Sequence, residues 1–245
     1  MLHPRAGRWL LAATAVLQAC APPVIGFDSD AADPPIVPPG TVLRRLGRRG
    51  VGCLIVAAWG LPAQRATVAP YRDIQVPLAL VQVGFVLWLL AAGSPARWLT
   101  VPIFAGMLTG LGVCLRQVVT AIDAEATDRI TGRLLGIVLG VDAGWSTAAV
   151  WINTATLLPS GTFTGTPGLV VQCGFVVAAS GTAAVGAHLL RGQASYALTA
   201  GWALIGVAVS AVMAGLEALA AIAGLVLVGA IVLVRRRSGP AHRPV

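Results

Sequence analysis

Lysine is absent from the 245 residues, and charge of either sign is scarce: 17 basic residues, all arginine, and 9 acids make up 11% of the chain. A soluble domain carries about 25% charged residues. Too few charges are present to cover a water-facing surface, and 57% apolar residues are more than one core hides. Missing too is the alternation of apolar and polar positions that an outer-membrane barrel needs. Continuous apolar runs approaching 20 residues take its place. The chain therefore reads as all-α, a polytopic transmembrane helix bundle surrounded by lipid bilayer. A nucleic-acid module is excluded in spite of the net charge of +8. Basicity carried by arginine alone, among so much Ala, Gly and Val, points to a GC-rich bacterial genome and hence to a bacterial plasma membrane.

Reactive patterns are equally scarce. The four cysteines, Cys20, Cys53, Cys114 and Cys173, form no CxxC pair and no Cys/His cluster, so no metal site and no cofactor are expected. GxSxG, HExxH and a pair of intramembrane aspartates are all missing, which argues against an enzyme. Arg5 and Arg8 ahead of Trp9–Leu17, then Leu17-Gln18-Ala19-Cys20, has the outline of a lipoprotein signal. The apolar stretch runs on past Cys20 to Phe27, and we read it as a first span.

Eight candidate spans follow: 9–27, 50–66, 74–93, 98–118, 134–158, 168–190, 195–212 and 216–234. The second is the weakest, because its apolar part, Val51–Ala63, falls short of the 17–25 residues a spanning helix takes. It reaches that length only by starting near Thr41, with Arg44, Arg45, Arg48 and Arg49 snorkelling to the headgroups. The last two spans could form one broken helix, so the expected count is seven or eight. With eight, both termini share a side with Arg65, Arg72, Arg116, Arg129, Arg133 and Arg191, and the basic excess makes that side cytoplasmic. Residues 1–245 read as a single membrane domain, interrupted by an extended extramembrane loop at 28–40 rich in Pro and Asp. The uncharged connection Pro159–Pro167 suits a tight cap.

The span 134–158 is the most informative. Gly136, Gly140, Gly144 and Ala148 recur every four residues, a stripe on which another helix can pack closely, from this chain or from a second copy in a homo-oligomer. Asp142, Trp145, Ser146, Ala149, Asn153 and Thr156 fall in one sector of about 100°, opposite most of that stripe. Asp142 is the one acid well inside a span, and a carboxylate there needs a cavity or a partner. Two readings stand: Asp142, Trp145 and Asn153 wall a ligand pocket, or Asp142 and Asn153 bond neighbouring helices. No second buried charge completes a proton relay.

Trp9 and Trp98 sit beside Arg8 and Arg97 as interface anchors, whereas Trp59, Trp88, Trp145, Trp151 and Trp202 lie deeper. A buried indole offers a flat face and one donor, which suits a planar ligand or plain packing. His188 reads as interfacial. Arg65…Tyr71…Val76 and Arg191…Tyr196…Leu198 match a weak inverted cholesterol-contact pattern.

The stretch Gly144-Trp145-Ser146-Thr147-Ala148-Ala149, with Asn153-Thr154-Ala155-Thr156-Leu157-Leu158, resembles the tryptophan-rich sensory protein (TspO/MBR) family and its longer bacterial relatives. The shared spacing is Trp-x-x-x-Ala-x-x-x-Asn, carried by Trp145, Ala149 and Asn153. Pro38-Pro39-Gly40, Trp59-Gly60 with Ala63-Gln64-Arg65, and Trp202–Val209 resemble other blocks of the same family. An aromatic-rich run of the relatives is replaced here by Leu43–Gly50. The resemblance implies a membrane protein that binds or senses a hydrophobic planar ligand such as a porphyrin, with Asp142, Trp145, Ala149, Asn153, Trp59 and Trp202 as site residues. A secondary transporter and a purely structural role are the alternatives; no internal repeat supports the first.

Overall fold

The computed structural model describes residues 4–25, 49–213 and 216. The expected loop at 28–40 and nearly all of the expected last span at 216–234 lie outside them. The described residues are helical, without a strand. In chain order the helices are α1 (Pro4–Ile25), α2 (Arg49–Trp59), α3 (Ala63–Ala66), α4 (Tyr71–Ala92), α5 (Thr100–Asp123), α6 (Arg129–Thr156), α7 (Gly165–Leu189) and α8 (Ala194–Met213).

Five stretches are long and apolar enough to cross a membrane: Ala6–Ile25, Tyr71–Ala92, Arg97–Asp123, Arg129–Thr156 and Gly165–Leu189. Gly50–Trp59 and Ala194–Ser210 are shorter apolar stretches. The described residues thus carry five such spans and two shorter apolar helices, and the expected count of seven or eight is not confirmed among them. The expected span at 50–66 breaks after Trp59. Gly60 and Pro62 follow, and proline lacks the N–H that would continue the helix. Several other helices begin earlier or end later than hydropathy suggests, because polar residues extend them and, in α6, cap the new start. Asp128 is the clearest case. Its carboxylate accepts from the N–H groups of Ile130 and Thr131 at 3.0 and 2.9 Å, starting α6 five residues before the expected 134.

The packing order follows from close approaches. Gly7 faces Gln75, and Thr14 bonds Gln82, so α1 and α4 run parallel and in step. Arg8 Nη1 donates to Leu61 O at 2.8 Å, bringing the start of α1 to the end of α2. Trp59 Nε1 donates to Thr131 Oγ1 at 3.0 Å, bringing that end to the start of α6. An Arg191–Asp123 ion pair joins the ends of α7 and α5. One end of the bundle therefore gathers Arg8, Arg65, Arg72, Arg129, Arg133 and Arg191, while Arg97 stands at the other.

The core lies between α1, α2, α4, α5, α6 and the start of α8, around Leu11, Cys53, Ile74, Leu111, Leu139 and Tyr196. Helix α6 is central and α7 peripheral: 61% of the α6 span is enclosed against 22% of that of α7. A second, smaller cluster around Ala155, Val176 and Val207 joins α6, α7 and α8.

Candidate functional site

Helix α6 organises the polar chemistry of the bundle, and its two faces do different work. On the glycine face, a Cβ at Gly144 would stand 2.6 Å from Tyr196 O and 3.2 Å from Ala200 N. One at Gly140 would run into Ser195 Oγ and sit 3.0 Å from Tyr196 N. The stripe is the seat of α8, whose backbone approaches where side chains are missing. Ser195 Oγ reinforces the contact by donating to Gly136 O at 2.7 Å. A homo-oligomeric contact through Gly136, Gly140 and Gly144 would require α8 to leave.

The opposite face points into the core. Asp142, Trp145 and Ala149 are buried there, with Ser146 beside them. Cys53 Sγ of α2 donates to Asp142 Oδ2 at 3.5 Å. One turn beyond Ala149, Asn153 Nδ2 donates to Ala149 O at 2.8 Å, and its Oδ1 accepts from Trp88 Nε1 of α4 at 2.9 Å. Trp88 in turn stands edge-on to Phe104, with ring centroids 5.1 Å apart, and tilted to Phe85 at 5.7 Å. Asn153 is thus held against an aromatic cluster contributed by α4 and α5.

The six residues singled out from sequence do not form one cluster. Asp142, Trp145, Ala149 and Asn153 share the core face of α6. Trp59 lies at the arginine-rich end, where the guanidinium of Arg65 stacks 3.7 Å from its ring centroid. Trp202 is half exposed on the outside of α8. Both tyrosines of the cholesterol-contact patterns are buried: Tyr71 donates to Val56 O, and Tyr196 pairs with Thr147 Oγ1 at 3.0 Å. Neither presents its ring to lipid.

A cleft of about 40 Å³ opens on the other side of α6, between it, α7 and α8. Its walls are apolar, formed by Ala148, Trp151, Phe175, Ala179, Ala203 and Val207 among others, and none of the six residues lines it. Trp151 Nε1 donates across to Thr182 Oγ1 at 3.1 Å. Sequence reasoning missed this Trp–Thr pair, which needs the register of α7 to be seen. It also missed how Asp128, Thr131, Trp59 and Arg65 are joined at the arginine-rich end. There the hydrogen bond from the Thr131 hydroxyl, followed by the Thr131 N–H, holds the Asp128 carboxyl below its ordinary pKa. The positive charge of Arg65 adds to the effect. Among the described residues no group of three or more His, Cys, Asp or Glu side chains could hold a metal ion.

A protein-family model described as TSPO-like protein matches residues 50–235. No curated protein and no solved structure matches the chain.

Proposed function

The chain belongs to the TSPO-like family, and from that premise we propose that it binds a hydrophobic planar ligand of the tetrapyrrole type within the bacterial plasma membrane, as a binding or regulatory protein rather than an enzyme. The carrying observation is the core face of α6. There Trp145 and Asp142 are buried on the face that carries Asn153 two to three turns further on, and Asn153 is already tied to the Phe85–Trp88–Phe104 cluster. Such a face offers flat rings for stacking and two polar groups for orientation. A small-molecule pocket takes about 300–1,000 Å³, so a planar ligand enters by parting α6 from α4 and α5, not through the 40 Å³ cleft.

The arginine-rich end is cytoplasmic in this reading. The two shorter apolar stretches, Gly50–Trp59 and Ala194–Ser210, lie within the membrane beside the five longer ones.

Titration of detergent-solubilised protein with a porphyrin tests the proposal. Saturable quenching of tryptophan fluorescence is expected, most of it removed by Trp145→Phe. Absence of quenching in folded protein refutes the ligand. A structural role is the second reading, supported by the hydrogen bonds that Asp142 and Asn153 already make. On that reading Asn153→Leu removes the hydrogen bond to Trp88 Nε1, costs about 1–3 kcal/mol of stability, and no ligand registers in any variant.

A further inference from the structure

Five buried side-chain atoms have no hydrogen-bond partner among the described residues: Arg8 Nε, Gln18 Oε1, Gln82 Nε2, Gln117 Oε1 and Gln172 Oε1. Two of these belong together. Gln18 is on α1 and Gln82 on α4, helices that pack against each other in parallel. One lacks a donor and the other an acceptor, and their exposures are 4% and 0%. In hydrocarbon neither atom finds a partner from solvent, and an unmet polar group there is costly.

Register sets how far apart the two side chains are rooted along the bundle. The carbonyl oxygen of Gln82 meets Thr14 Oγ1, and Gln18 follows Thr14 by one turn on the same face of α1. Four residues of helix rise about 6 Å. Two hydrogen bonds of about 2.8–2.9 Å laid end to end cover a comparable length. We propose that a water molecule is bound between Gln82 Nε2 and Gln18 Oε1, accepting from the first and donating to the second. Thr14 Oγ1, which meets the Gln82 carbonyl oxygen, is on hand as a third partner, in keeping with the two to four a buried water needs. The water clasps α1 to α4. Residues 4–25 lie outside the family match, which begins at residue 50. The clasp thus adds to the packing that holds one more helix on the matched part, and it gives Gln82 of α4 a polar partner on α1 in place of lipid.

Side-chain amide NMR of the full chain, labelled with ¹⁵N-glutamine and held in micelles, tests this. The wild-type protein should show a cross-peak from the Gln82 amide to a long-lived water. Gln18→Met should abolish the cross-peak and lower the melting temperature, and the double variant Gln18→Met with Gln82→Met should recover part of the loss. Were the two atoms merely unpaired, Gln18→Met would delete a buried orphan acceptor, and the melting temperature would hold or rise. A wild-type spectrum without the cross-peak overturns the proposal with no need of any variant, and so does a cross-peak that survives Gln18→Met.

Discussion

Replacing Gly144 by leucine and Gly174 by leucine is one chemical change made at two glycines with opposite surroundings. At Gly144 the new Cβ meets Tyr196 O at 2.6 Å, Thr199 Cβ at 3.0 Å and Ala200 N at 3.2 Å. Two of those three atoms are backbone, which a rotamer change does not move aside, so α8 must shift bodily. Overpacking of that kind costs about 1–3 kcal/mol. Displacing α8 also strains the Ser195 to Gly136 hydrogen bond, worth about 0.5–1.5 kcal/mol. At Gly174, on the outer face of α7, nothing lies within 4 Å. Leucine there gains helix propensity, up to about 1 kcal/mol over glycine. The two variants should therefore depart from wild type in opposite directions. For a chain of this length each kcal/mol moves the melting temperature by about 2–4 °C. Gly144→Leu is expected to melt roughly 3–18 °C below wild type, and Gly174→Leu at or slightly above it, by circular dichroism in one detergent. Equal melting temperatures for the two variants would refute the seating of α8 on the glycine stripe.

Two further outcomes are expected. The Asp128 carboxyl has a lowered pKa in the fold, so its stabilisation is present above the ordinary carboxylate range and fades as pH falls through the lowered value. Asp128→Ala should cost about 0.5–2 kcal/mol at neutral pH, towards the low end because the group is exposed to solvent, and should flatten the acid limb of a melting-temperature profile. Reporter fusions in the connections at Ser94 and Gly192 should report opposite sides of the membrane, with Gly192 cytoplasmic; a shared location would disprove the alternation of helix ends.

Hydropathy locates membrane helices because lipid demands long apolar runs, and α4, α5, α6 and α7 were legible on that ground. Their ends were not. Asp128 looks like a loop residue until its carboxylate is seen to cap α6, and Pro62 ends a helix that composition alone carries on to residue 66. The division of α6 into a small face and a polar face was also readable, since it follows from 3.6-residue periodicity. What each face touches was not. Glycines mark a seat without naming its occupant, and that occupant is α8. Asn153 was singled out as a ligand group or a helix bond, and its partner Trp88 lies 65 positions earlier in the chain. The glutamines of α1 and α4 gave a signal that hydropathy averages away: Gln75 and Gln82, seven apart, repeat at two helical turns in an otherwise apolar run.

The weak enclosure of α7 bears on how the bundle is assembled during synthesis. Ribosomal order delivers α7 before α8, yet α6 packs more extensively on α8 than on α7. The helix that first follows α6 out of the translocon therefore has little to hold it beyond the Trp151–Thr182 bond, the Trp151 and Phe163 contacts of Phe175, and the Arg191–Asp123 ion pair just past its end. Its neighbour along the chain must arrive before the smaller cluster around Val176 and Val207 can close. Insertion thus runs ahead of consolidation at this point. A chain halted after Leu190 would carry an α6 whose glycine face is still turned to lipid.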